Sequence, residues 1–122
     1  MKSPILVIDD DQEMCAFMEE YLKKEGFETY TATSVNKGLE ILKEKKPKVI
    51  LLDIEMPGIN GIDAMKLIHK IDKDIAIIMV TGMLEEDIAK HTIKLGAIDY
   101  ITKPFSLQYL KDSLMAKLAT LD

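Results

Sequence analysis

Residues 49–53 read Val-Ile-Leu-Leu-Asp (VILLD), and residues 54–61 continue as Ile-Glu-Met-Pro-Gly-Ile-Asn-Gly. A strand with one face in water alternates apolar and polar residues, so an unbroken apolar run closed by an acid and a Pro-Gly turn describes a strand covered on both faces. The same form recurs on either side, at Pro4 to Asp9 (PILVID) and Ile75 to Thr81 (IAIIMVT). Two further strands complete the set, Ile98 to Lys103 (IDYITK) and Phe27 to Ala32 (FETYTA); the latter alternates and belongs at a sheet edge.

The segments between these runs carry helical period and helical punctuation. Met14, Phe17, Met18, Tyr21 and Leu22 form an apolar stripe closed by Gly26. Ser34 caps a second helix that turns Leu39 and Leu42 inward and ends before Pro47, and a third opens after Asn60-Gly61 with Ile62, Met65 and Ile68 spaced for burial. Ile88, Ile93 and Leu95 mark a fourth, stopped by Gly96, and Ser106 caps a fifth through Leu107, Leu110, Leu114 and Leu118. Five strand-helix units joined by right-handed crossovers make an α/β, doubly wound parallel sheet within one domain, residues 1–122.

Composition limits what such a domain does. With 48% hydrophobic and 30% charged residues the chain is too apolar for disorder. A net charge of −5 without any Lys- or Arg-rich surface tract argues against nucleic-acid binding, since phosphate contacts are made by clustered cations. The single cysteine, Cys15, excludes an internal disulfide and a thiolate zinc site, so a reducing, cytoplasmic setting is expected. The apolar run Ile5 to Ile8 is too short for a signal-peptide core or a membrane span, and neither secretion nor insertion is expected. His69 and His91 fall in separate helices without ligand spacing and read as surface residues, and the methionines read mostly as core.

In open α/β sheets ligands bind beyond the carboxyl ends of the strands. Those ends deliver Asp9, Asp10 and Asp11 after the first strand, Asp53 after the third, Thr81 after the fourth and Lys103 after the fifth. Taken singly, each has an ordinary explanation as a cap or a solvated charge; jointly, one edge receives chemistry from four strands. Carboxylates about 4 Å apart repel by roughly 4 kcal/mol per pair at an intermediate dielectric, so a counter-charge is required. Lys103 supplies one, and the all-oxygen donor set suits Mg2+, with Asp10 and Asp53 as direct ligands and Asp9 acting through water. A carboxylate beside a cation, an ammonium and a hydroxyl is equipped to attack a phosphoryl donor, and an ionised carboxylate would need no general base.

The motifs ILVIDDD at 5–11, LLDIEMPGING at 51–61, MVTG at 79–82 and DYITKPF at 99–105 resemble, in order and spacing, the response-regulator receiver domains of two-component phosphorelay signalling. The resemblance implies a flavodoxin-like (βα)5 sheet of strand order 2-1-3-4-5. It implies phosphorylation at Asp53, an acidic pair at Asp9 and Asp10, and Mg2+ completed by the Glu55 carbonyl. It further implies a switch through Thr81 and Tyr100 that alters the face of the fourth helix, fifth strand and fifth helix, and a cis Lys103-Pro104 bond. Such a domain is a signalling protein that catalyses only its own phosphorylation and dephosphorylation. Its implied partners are a sensor histidine kinase or histidine phosphotransfer protein, a downstream effector that these residues do not specify, and a phosphorylation-dependent second copy. Glu13, Met14, Phe17 and Phe105 are docking candidates, Phe17 being equally readable as core, and Glu55 and Met83 are candidates for tuning the acyl-phosphate lifetime.

Three other readings compete. Asp9-x-Asp11 after an apolar strand matches the nucleophile and acid of haloacid-dehalogenase-type phosphatases, which leaves LLDIEMPG unexplained. A flavin module would need a phosphate cradle where this chain presents three aspartates. A phosphorylation-independent docking domain would signal with Asp53 replaced by Asn.

Overall fold

The computed structural model describes residues 3–82 and 86–121. Its five-stranded parallel sheet comprises β1 (Ile5–Ile8), β2 (Thr29–Ala32), β3 (Val49–Asp53), β4 (Ala76–Thr81) and β5 (Asp99–Thr102). The spatial order is 2-1-3-4-5, as expected, with β2 and β5 at the edges. Each observed strand other than β3 is shorter than its apolar run, because flanking residues serve turns. Phe27, for one, is buried in the core while its amide donates to the Leu22 carbonyl at the end of the preceding helix.

Helices α1 (Gln12–Lys24), α2 (Val35–Lys45), α3 (Gly61–Ile71) and α4 (Glu86–Lys94) follow the first four strands. The last helix, α5, runs as three consecutive pieces, Leu107–Tyr109, a π-helical turn Leu110–Leu114, and Met115–Ala119. Caps fall where the sequence placed them: Ser34 and Ser106 hydroxyls accept from Lys37 N and Tyr109 N. Gly26 sits at φ 95° just past α1, a conformation open to glycine at little steric cost.

Side chains alternate across the strands and split the core into two layers. Leu6, Ile8, Ile50, Leu52, Ile77 and Met79 face α2, α3 and α4 through Leu42, Met65, Ile68 and Ala89. Ile5, Val7, Val49, Leu51, Ile78, Val80 and Ile101 face α1 and α5 through Met18, Leu22, Leu110, Leu114 and Leu118. Both faces of the central strands are therefore dry, which is why their sequences are continuously apolar.

Some positions differ from the sequence reading. Ile88, Ile93 and Leu95 are 45%, 38% and 44% exposed, and the inner face of α4 is instead built from Ala89 and Thr92, whose hydroxyl donates to the Ala89 carbonyl at 2.6 Å. Small residues bring α4 close to the sheet and leave its large side chains outside. Leu107 is exposed as well, and Phe17 is 37% exposed rather than part of the α1 stripe, its inward place being taken by Cys15 and Met18. His69 is half-buried, its Nε2 lying 3.4 Å from the Ile75 carbonyl oxygen, while His91 is exposed as expected. Met18, Met65 and Met79 are buried, whereas Met14, Met56 and Met115 are only partly so.

Close approach of α2 to β1 rests on Gly38, where an added Cβ would lie 2.5 Å from Ile8 Cδ1 and 2.9 Å from its Cγ1. Ile8 is fully buried and cannot retreat freely. Overpacking of this kind costs about 1–3 kcal/mol, against about 1 kcal/mol gained in helix propensity. Gly38→Ala is accordingly expected to lower the urea midpoint by the equivalent of about 1 kcal/mol. A raised midpoint would show that the helix has room to spare there.

Candidate functional site

The carboxyl edge of the sheet gathers the residues named from the sequence. Asp9 follows β1, and its Oδ1 accepts from the Asp11 amide at 3.0 Å, which turns the chain sharply into α1. Asp11 caps that helix, accepting from the Glu13 and Met14 amides. Capping of α1 gives Asp11 the ordinary structural role open to an acid before a helix. Cys15, read as a small helix residue, is buried with its Sγ donating to the Asp9 carbonyl at 3.2 Å.

Asp53 ends β3 and is buried, and beyond it a two-residue ribbon pairs Glu55–Met56 with Ile59–Asn60. The ribbon was not foreseen. Its signal is Met56-Pro57-Gly58-Ile59, with proline preset for the second turn position and Gly58 at φ 86° for the third. Asn60 then caps α3 by accepting from Asp63 N at 2.9 Å. An open cleft of about 830 Å³ lies between this ribbon and Asp10, bordered by Glu55 and Asp63.

Carboxylate oxygens of Asp9, Asp10 and Asp53 lie within 4.8 Å of one another. Lys103 reaches in from the end of β5, with Nζ 2.9 Å from Asp9 Oδ2 and 3.6 Å from Asp53 Oδ2. The Lys103-Pro104 peptide is cis, as expected. Three carboxylates against one ammonium leave a net negative cluster. Burial first, then the Asp9 charge, pushes the Asp53 carboxyl up to about 7, although Lys103 and the Glu55 amide pull the other way. For Lys103, burial opposes the charge, but the Asp9 hydrogen bond and the Asp53 and Asp9 charges outweigh it and raise its pKa.

Burial and the Asp9 charge thus work against the ionised Asp53 that a nucleophile without a general base requires. Without added positive charge, burial and Asp9 keep part of it protonated. A hard divalent cation fits this donor set, because it takes oxygen ligands and supplies the missing charge.

Thr81 is fully buried at the end of β4, with its hydroxyl donating to the Gly82 carbonyl at 3.0 Å. Tyr100 on β5 is half-buried against the α2-α3-α4 layer. Glu55 is exposed, and Met83 lies outside the described residues. Of the docking candidates, Glu13 and Phe17 are exposed, while Met14 and Phe105 are half-buried, Phe105 stacking on Tyr109 at a centroid distance of 6.3 Å. Among the described residues no helix is long and apolar enough to cross a membrane.

Residues 5–115 match the family model of the response regulator receiver domain. The chain belongs to that family. It is 32% identical over 114 residues to sporulation initiation phosphotransferase F of Bacillus subtilis (strain 168), an alignment covering 93% of this chain and 92% of that one. A response regulator receiver domain protein from Clostridium thermocellum superposes with TM-score 0.85 at 32% identity, covering 98% of this chain and 96% of the other. NtrX from Brucella abortus gives 0.90 at 30% identity over 98% of this chain, which spans only 27% of the NtrX chain. The protein is thus a receiver of two-component phosphorelay signalling, a family that takes a phosphoryl group onto an aspartate.

Proposed function

We propose that Asp53 is the phosphoryl acceptor and that the donor is a phosphohistidine on a sensor histidine kinase or histidine phosphotransfer protein. The observation that carries this reading is the position of Lys103 Nζ, 2.9 Å from Asp9 and 3.6 Å from Asp53, at the mouth of the acidic cluster. Asp9 and Asp10, Asp53 itself and the Glu55 carbonyl would hold Mg2+, which when bound supplies charge to neutralise phosphoryl oxygens.

The chain's own groups do the rest. An Asp53 carboxylate oxygen attacks the phosphorus and the histidine nitrogen leaves with the bonding electron pair, forming an acyl phosphate. Lys103 pairs with one phosphoryl oxygen, and the Thr81 hydroxyl exchanges the Gly82 carbonyl for another. That exchange, with Tyr100 moving further in, alters the face formed by α4, β5 and α5, where Ile88, Ile93 and Ile98 are exposed and available to an effector or a second copy. Hydrolysis of the acyl phosphate resets the site, so the only reactions catalysed are on the protein itself. The setting proposed is cytoplasmic.

Incubation with acetyl phosphate tests this reading. Phosphoryl uptake is expected only with Mg2+ present, and the product is expected to be released by hydroxylamine, as an acyl phosphate is. Metal-independent uptake, or a hydroxylamine-stable product, would count against it. Lys103→Met and Thr81→Ala are each expected to slow uptake by about 10²-fold, the usual loss when one preorganised donor to a developing charge is removed. The measurement is the initial rate at saturating Mg2+.

A further inference from the structure

We infer that Tyr109 is a positioning residue for the phosphoryl-transfer reaction, setting the place of Lys103 through the backbone of Thr102. The inference rests on the reading of Asp53 and Lys103 given above.

β5 is an edge strand, so alternate amides point away from the sheet and have no strand partner. On the inward side, Lys103 N, directly after the strand, donates to the Thr81 carbonyl of β4 at 2.7 Å. Outward amides are met by side chains. Tyr100 N donates to Asp99 Oδ1 at 2.8 Å, and Thr102 N donates to the Tyr109 hydroxyl at 3.1 Å. An edge strand is ordinarily protected by charge or shortness, and here a phenol from the adjoining helix closes its last free donor before the active lysine.

The hydroxyl is itself well held. The Tyr109 ring stacks on Phe105 with 7° between planes, its amide is capped by Ser106, and a π-helical turn begins at the next residue. Such turns interrupt helices often at functional positions. Directly beyond Thr102 the chain is fixed on its other side by the Lys103–Thr81 backbone bond, and the Lys103 side chain then reaches Asp9 and Asp53. The segment is clamped between β4 and α5, one residue from the ammonium. Rotation of this segment moves Nζ relative to both carboxylates, and transfer rates fall steeply with misplacement on the ångström scale.

A second tie joins α5 to the opposite end of the same strand, Lys117 Nζ lying 3.2 Å from Asp99 Oδ2. It offers a control, because it anchors helix to strand without touching the lysine end.

Initial rates of phosphoryl uptake from phosphoramidate at saturating Mg2+, measured over a range of donor concentrations, test the inference. Tyr109→Phe keeps the stacked ring and removes only the hydroxyl. It is expected to lower the maximal rate by about 3- to 10-fold, the range spanned by one net hydrogen bond, while the half-saturating donor concentration stays within about twofold. Amide exchange at Thr102 is expected to speed up, and the thermal midpoint to stay within about 3 °C. Lys117→Gln is expected to keep the parent rate. A parent rate in Tyr109→Phe, an equal loss in Lys117→Gln, or a loss confined to the half-saturating concentration would overturn the inference. Absence of uptake by the parent protein would instead strike the underlying reading of the site.

Discussion

Asp53→Asn is expected to abolish phosphoryl uptake, at least about a thousandfold below the parent rate, while leaving the fold intact. The carboxamide keeps the size and planarity of the buried group but offers no ionised oxygen to form an acyl phosphate. Asp9→Asn and Asp10→Asn should behave differently. Each retains the nucleophile and loses part of the charge that would hold a divalent cation, so uptake is expected to fall about 10- to 100-fold and to recover in part at high Mg2+. Rate measurements across a Mg2+ titration separate the cases. Full activity in Asp53→Asn with none in Asp9→Asn would favour the phosphatase-like reading of the first loop.

The same substitution carries an expected gain in stability. In the folded state burial and the Asp9 charge raise the Asp53 carboxyl from 3.8 to about 7. Between those values the native protein holds a proton that the unfolded chain has released. Native stability therefore falls as pH rises through this window and levels off above about 7. Asparagine escapes that loss. At pH 8 without divalent cations Asp53→Asn is expected to be more stable than the parent by about 1–3 kcal/mol, a rise in Tm of roughly 5–15 °C for a domain of this size. The difference should shrink as pH falls through this window and close below about pH 3, where both states of the parent carry the proton, and Mg2+ should narrow it at pH 8 by binding the parent more tightly. Thermal melts at the two pH values, with and without Mg2+, provide the measurement. A variant less stable than the parent at pH 8 would mean that Lys103 already compensates the cluster fully.

What could be read from the sequence follows from how each feature is encoded. The central strands announced themselves because burial on both faces leaves no polar position, and Asp9, Asp53, Thr81 and Lys103 were legible because the strand ends fix their edge. Side-chain depth on α4 was not. Ile88, Ile93 and Leu95 look like a core stripe by hydrophobicity alone, whereas the space between α4 and the sheet admits only Ala89 and Thr92. The upward push on the Asp53 carboxyl was equally hidden, since it depends on burial and on the nearness of Asp9 rather than on residue type. Tyr109 escaped for a related reason. No motif singles it out, and a contact to the Thr102 amide exists only once β5 is placed at the sheet edge.

The acceptor itself can be located chemically. Parent protein phosphorylated by acetyl phosphate with Mg2+ is treated with borohydride, which reduces an aspartyl phosphate to homoserine, then digested and sequenced by mass spectrometry. The modification is expected at residue 53 within the peptide containing VILLDIEMPG, with Asp9, Asp10 and Asp11 recovered unchanged. Homoserine at any of those three positions, with residue 53 still aspartate, would contradict the assignment of the site.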